Sequence, residues 1–392
     1  MKNHEFISPL KLKPTVKTAL EEKLVYAGKG VKSVEIIPEE NSRPLIRFSC
    51  DEFSDEESIQ IEMEKMIRGF SRGFLEVEKE ILFDQRERQV PGKTDVYDEM
   101  ISRGWVHEYE TGRVSLDDKA ADLYNFFDAE FVKIADGYGA RPIQFPTLIS
   151  METLRKADYF ASFPHHITLA THLIEDAEKI TEFSKRYSDE GDMDLSEVTE
   201  KTEHVCSPAV CFHLYQALEG EKLDGVVRRT AIGPCFRYES SNMKTLERLW
   251  DFHMREIIFV GPSSEVDELR KTAMKPVMEL VDRIGMKSHI ETASDPFFVN
   301  NYSGQTFYQL SHKTKYELRL HLPFREDHSL AAASFNWHQT FFGNRFSISA
   351  GGEESGTACV AFGVERWVYA FLVQFGMDPA YWPQYVLDNI PR

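Results

Sequence analysis

Apolar and polar positions alternate in three regimes along the chain. The first 90 residues mix helical and strand-like periods. Residues 15–28, "TVKTALEEKLVYAG", have helical spacing ended by Gly28. "KSVEIIPE" and "RPLIRFSCDEF" read as strands around a polar turn. "SDEESIQIEMEKMIRGF" predicts an amphipathic helix with a capping box at Ser54 and Glu57. "FLEVEKEILF" alternates like a further strand, and "RERQVPGKTD" at 86–95 reads as a linker. The second regime is one long helix, with Ser115 and Asp118 as its capping box and an apolar stripe of Leu116, Leu123, Phe127, Phe131 and Ile134. The strand "PIQFPTLIS" follows with Pro146 in its middle, which suits an edge or an interface. The acidic stretch at 178–204 reads as a helix plus a solvated loop. From residue 205 strands dominate: "VVRRTAIG", "PCFRYESS", "LWDFHMREIIFVG", "SLAAASFNWHQTFFG" and "FSISAGG". The helix "VERWVYAFLVQFG" closes the series. Strands grouped between helices, rather than alternating with them, predict an α+β fold with an antiparallel sheet.

Composition narrows the function. The 392 residues are 42% hydrophobic and 28% charged, as in globular proteins, and carry a formal net charge of −18. That charge argues against a protein covered by a nucleic-acid-binding field. "MKNHEF" lacks the apolar core of a signal peptide, and no run approaches the roughly 18 apolar residues of a membrane span, so a cytoplasmic, membrane-free protein is expected. Five cysteines without a CxxC pair form no disulfide framework. Neither GxGxxG nor GxxxxGK[ST] occurs.

Chemistry gathers in two segments. "CFRYE" and "RLWDFHMRE", joined by "SSNMKTLE", predict an antiparallel hairpin. Alternation puts Arg237 and Glu239 on one face, and Arg248, Phe252 and Glu256 on one face of the partner strand. Guanidiniums suit phosphate oxygens and a phenylalanine face suits a base ring. In "GTACVAFGVERW", Gly363 leaves room for close approach, and Arg366 sits in the first helical turn, where the dipole disfavours a cation unless an anion is near.

Arg237, Glu239, Arg248, Phe252 and Glu256, with Gly363, Glu365 and Arg366, resemble the second and third signature motifs of class II aminoacyl-tRNA synthetases. Pro146 is the candidate for the interfacial proline of the first. The resemblance implies an antiparallel class II catalytic sheet flanked by helices over residues 100–392, a small N-terminal α+β domain over 1–90, and a homodimer. It implies that Arg237 holds the ATP α-phosphate, Glu239 the adenine amino group and Phe252 the adenine ring, while Arg248 and Arg366 grip the β/γ-phosphates. Mg²⁺ accompanies ATP.

"CSPAVCFHLYQ", "LRKADYFASFPHH", "SDPFF", "AASFNWHQTFFG" and "TACVAFGVERW" resemble, more narrowly, amino acid:carrier-protein ligases, relatives of the atypical seryl-tRNA synthetases of methanogenic archaea. That resemblance implies a Zn²⁺ held by Glu256, Cys359 and a second cysteine, Cys211 with Cys206 as the fallback. Its open fourth position takes the amino group of a small amino acid of the glycine, alanine or serine class. Ser334 and Asn336 are expected to bind that substrate, with Trp337 and His338 nearby. The expected acceptor is the phosphopantetheine thiol of an acyl or peptidyl carrier protein, not tRNA. The alternatives are a zinc-dependent seryl-tRNA synthetase and a non-catalytic paralogue. The N-terminal domain is expected to dock the acceptor or form a dimer contact. Arg228, Arg229 and Lys244 are candidates for a basic docking patch.

Overall fold

The computed structural model describes residues 2–13, 16–39, 42–71, 78–191, 193–295, 302–325 and 328–390. Its centre is an eight-stranded sheet. In spatial order the strands are Ile81–Asp84, Ser288–Thr292, Lys315–His321, Ser329–Trp337, Gly356–Gly363, Asp251–Gly261, Val227–Phe236 and Arg141–Pro142. Neighbours are antiparallel except the last pair. The fold is α+β with an antiparallel-rich sheet.

The central strand Asp251–Gly261 is buried on both faces from Met254 onward. Alternation therefore sorts its side chains between two environments. Ile257 and Phe259 join the main core with Val360, Phe362 and Phe335. Helices Asp118–Gly137 and Val364–Phe375 cover that face, and Phe131 stacks on Phe362 with ring centroids 4.2 Å apart. Met254, Glu256 and Ile258 point to the other face, where smaller apolar clusters surround a cleft.

The N-terminal residues form a three-stranded sheet, Lys2–Ile7, Leu45–Cys50 and Val31–Ile37, with Leu45–Cys50 in the middle. Helices Lys17–Leu24 and Glu56–Ser71 give it a core of its own, including Leu20, Leu24, Ile46, Phe48, Met63 and Ile67. Of the "FLEVEKEILF" run, residues 74–77 lie outside the described residues. Ile81–Asp84 pairs with Ser288–Thr292 at the edge of the large sheet. Of "SDPFF", only Ser294 and Asp295 are described.

Several local expectations need correction. The helix at 56–71 is capped by Asp55, whose Oδ1 accepts from the Ser58 N–H at 3.2 Å, and Ser54 instead donates to the Lys29 carbonyl. The long helix is capped by Asp117, because Ser115 and Leu116 belong to the preceding hairpin strand Arg113–Leu116. Pro146 is exposed between two short strands, Arg141–Pro142 and Leu148–Ser150, not inside one. "VVRRTAIG" and "PCFRYESS" form one strand, Val227–Phe236, which ends before Arg237. Among the described residues no helix is long and apolar enough to cross a membrane.

Candidate active site

Sheet register builds the floor of the cleft. Ala231, Glu256, Ala361, Ser334 and Glu317 lie side by side on successive strands. The adjacent row is Ile258, Cys359, Asn336 and Lys315. Gly363 opposite Met254 continues the floor towards Phe252. Alanine, serine and glycine at the centre leave a cleft of about 780 Å³, because larger side chains there would fill it.

At one end stand Cys211, Glu256 and Cys359, all buried, with potential ligand atoms within 4.8 Å of one another. Cys211 starts the helix Cys211–Ala217, and Cys359 lies on a central strand. Cys206 ends a separate short strand, His204–Cys206, and does not join the group. Glu256 Oε1 accepts from the Val210 N–H at 3.0 Å, whereas its Oε2 is buried without a protein partner. Burial, reinforced by Cys359, pushes the Glu256 carboxyl up to about 8. The Cys211 thiol is raised by its hydrogen bond with Cys359 and by burial. Two of the three donors are thus biased towards their protonated forms, a bias a divalent cation would reverse by displacing the protons, and the sulfur, sulfur, oxygen set, with one carboxylate oxygen left over, suits zinc. Asn336 Nδ2 donates to Ser334 Oγ at 3.0 Å and lies 3.4 Å from Cys359 Sγ.

The other end is cationic. Arg237 follows its strand directly. Its Nε donates to the Pro208 carbonyl at 3.1 Å, and its guanidinium sits 5.5 Å from the Phe252 ring centre. Phe252 and Glu256 share the cleft face, as parity required. Arg248 does not share it by parity: the strand starts only at Asp251, and Arg248 reaches the cleft from the preceding loop. Its guanidinium donates to Glu239 Oε2 and to Glu22 Oε1, each at 2.6 Å. Arg366 donates to the carbonyls of Glu247 at 2.8 Å and Ala331 at 2.9 Å. Burial and the neighbouring Arg248 push its guanidinium down to about 10. Carbonyl dipoles, not a carboxylate, thus meet this helix-terminal cation. Ser334, Asn336, Trp337 and His338 line the cleft.

Glu365, named in the sequence only as part of the third motif, accepts from the His253 N–H and ring, tying the helix Val364–Phe375 to the strand Asp251–Gly261. Other site residues escaped the sequence reading. Glu247, 3% exposed, accepts from Arg325 and His328. Lys315 bridges Asp295 at 2.6 Å and Glu317 at 3.0 Å along the cleft wall. The one available signal was the charge alternation in "KYELRLH", which puts Lys315, Glu317 and Arg319 on one face. The candidate docking cations are engaged locally. Arg228 and Arg229 donate to backbone carbonyls, and Lys244 pairs with Glu247.

Residues 197–375 match the tRNA synthetase class II core domain (G, H, P, S and T). An amino acid–[acyl-carrier-protein] ligase 1 of Bradyrhizobium diazoefficiens is 32% identical over 254 residues, 64% of this chain and 76% of that protein. A type-2 serine–tRNA ligase of Methanothermobacter thermautotrophicus is 27% identical over 322 residues, 79% of this chain and 63% of that protein. Among solved structures, M. kandleri SerRS, crystallised with A. aeolicus tRNASec, superposes with a TM-score of 0.73 at 21% identity, covering 99% of this chain and 77% of that one.

Proposed function

This chain belongs to the class II tRNA synthetase-like ligases that include amino acid–[acyl-carrier-protein] ligases and type-2 serine–tRNA ligases, an ATP-dependent amino acid ligase by descent, and we propose that it activates a small amino acid and passes it to a carrier-protein thiol. The observation that carries this reading is the two-ended cleft. A buried Cys211, Glu256, Cys359 group faces a floor of small residues, with three arginines at the far end.

The nucleotide would lie at the arginine end, with Mg²⁺ on its phosphates. Phe252 stacks on adenine and Glu239 accepts from its amino group. Arg237 neutralises the α-phosphate, while Arg248 and Arg366 hold the β/γ-phosphates. Cys211, Cys359 and Glu256 would hold Zn²⁺, which would supply a Lewis-acid contact for the substrate's α-amino group. Asn336 braces the Cys359 sulfur and holds the Ser334 hydroxyl beside the substrate. The small floor at Ala361 and Ser334 limits the substrate side chain to the glycine, alanine or serine class.

In the first step a carboxylate oxygen of the amino acid bonds to the α-phosphorus and pyrophosphate leaves. Arg237 offsets the charge gathering on the α-phosphate oxygens, so positioning and charge neutralisation drive the step. In the second, the phosphopantetheine sulfur attacks the acyl carbon and AMP leaves. The carrier acceptor is supported by the 32% identical relative, of which the match spans 76%. The molecule is expected to act as a cytoplasmic homodimer.

A second reading, serine–tRNA ligation, is favoured by the fold similarity to M. kandleri SerRS over 99% of the chain. ATP–pyrophosphate exchange across the twenty amino acids, with zinc present, tests activation itself. Exchange with one small amino acid is expected, and no exchange with any amino acid contradicts the ligase reading.

A further inference from the structure

Arg248 is held from outside the cleft. The helix Lys17–Leu24 of the N-terminal unit ends against the loop that carries it. Glu22 Oε1 accepts from Arg248 at 2.6 Å, while the other arm of the same guanidinium donates to Glu239 at 2.6 Å. Both forward-facing nitrogens of the fork are therefore occupied by carboxylates. The seat of the helix does not depend on the Glu22 side chain. The Glu22 backbone carbonyl accepts from Asn242 Nδ2 at 2.9 Å, the strand Val31–Ile37 packs on the turn Ser240–Asn242, and Tyr26 meets His165 edge-on with ring centroids 5.2 Å apart.

Glu239 lines the cleft, whereas Glu22 does not. The Glu22 carboxylate is about one-third exposed, so it can exchange its partner for water at modest cost. A triphosphate seeking a two-pronged grip on Arg248 must displace one of the two carboxylates. Glu22 is the one with no other role in the cleft.

We propose that Glu22 is a positioning residue that competes with the ATP triphosphate for Arg248, so that the N-terminal unit sets the cleft's affinity for ATP without entering it. The inference rests on the reading of Arg248 as a phosphate ligand. Neutralising Glu22 frees the fork while Asn242 and the apolar contacts keep the helix in place. Glu22→Gln should then lower both the ATP KM in pyrophosphate exchange and the ATP Kd by calorimetry about 3- to 10-fold, the range for a partly exposed charge-assisted pair. The exchange kcat should stay within about two-fold. Glu22→Asp, which keeps the charge, should restore most of the wild-type KM. In an Arg248→Ala background the effect of Glu22→Gln should vanish.

The test uses the full chain, with Glu22→Ala as a second neutral variant. An unchanged or raised ATP Kd in both neutral variants overturns the competition, provided Arg248→Ala raises the Kd. If Arg248→Ala leaves ATP binding unmoved, the phosphate role of Arg248 is what fails, and the competition falls with it.

Discussion

Replacing Glu247 by glutamine isolates the charge that braces the loop between the two motif strands. The carboxylate is 3% exposed and accepts from Arg325 at 3.0 Å and His328 at 2.9 Å, with Lys244 at 3.4 Å. Burial alone would raise its pKa. The His328 hydrogen bond and the charges of Lys244 and Arg325 overcome burial and bring it from 4.5 down to about 2. At about 1.4 kcal/mol per decade, that drop corresponds to about 3 kcal/mol in favour of the folded state. The three partners are a third to a half exposed, and solvent screening reduces the expected loss in Glu247→Gln to about 2 kcal/mol. A depressed carboxylate contributes its stability fully above the unfolded pKa of about 4.5 and loses it as pH falls towards about 2. Urea unfolding of both proteins from pH 7 downwards reads this directly. The gap between them should be constant from pH 7 to pH 5 and close below pH 4.5. The backbone oxygen of Glu247 also holds Arg366, so the ATP KM should rise as the loop loosens. Equal stability at pH 7, or a gap that persists undiminished at pH 2, would refute the reasoning.

Other expectations follow from the same geometry. Cys359→Ala and Glu256→Ala should lose zinc by atomic emission while Cys206→Ala keeps it. Full retention in Cys211→Ala with loss in Cys206→Ala would move the ligand to Cys206. Arg248→Ala should impair ATP binding with zinc content unchanged, and Phe252→Ala should raise the ATP KM about ten-fold by removing the stacking face. Ala361→Leu should fill the floor and abolish amino-acid-dependent exchange while ATP binding, measured by calorimetry, persists. Asp128→Ala leaves the 7%-exposed Arg255 without its paired carboxylate, whose two oxygens each accept at 2.7 Å. That should cost about 3 kcal/mol in equilibrium unfolding.

The sheet class was readable because strands such as Asp251–Gly261 combine β-branched and aromatic residues with period-two chemistry. Parity correctly joined Phe252 to Glu256 but failed for Arg248, since a period of two means nothing once the chain leaves the strand. The capping boxes failed because Asp55 and Asp117 lie within a residue or two of the serines that pattern-matching preferred, and only backbone geometry decides between them. The Cys211, Glu256, Cys359 grouping joins residues 45 to 148 positions apart, and no local rule reaches so far. Resemblance named those residues, and sheet register supplies the physical reason for two of them. Glu256 and Cys359 lie on neighbouring strands in adjacent rows of one face. The contact between Glu22 and Arg248 was invisible for a different reason. It joins two units with separate cores, and nothing in either stretch marks a partner 226 residues away.

The most direct test is to incubate the protein with ATP, Mg²⁺, zinc, the amino acid that supports exchange, and either a holo-carrier protein or total tRNA, and then to weigh the acceptors by mass spectrometry. A mass gain of one aminoacyl group on the phosphopantetheine arm, reversed by hydroxylamine, with tRNA uncharged, is the predicted result. Charging of tRNA with serine while every carrier stays unmodified would contradict it.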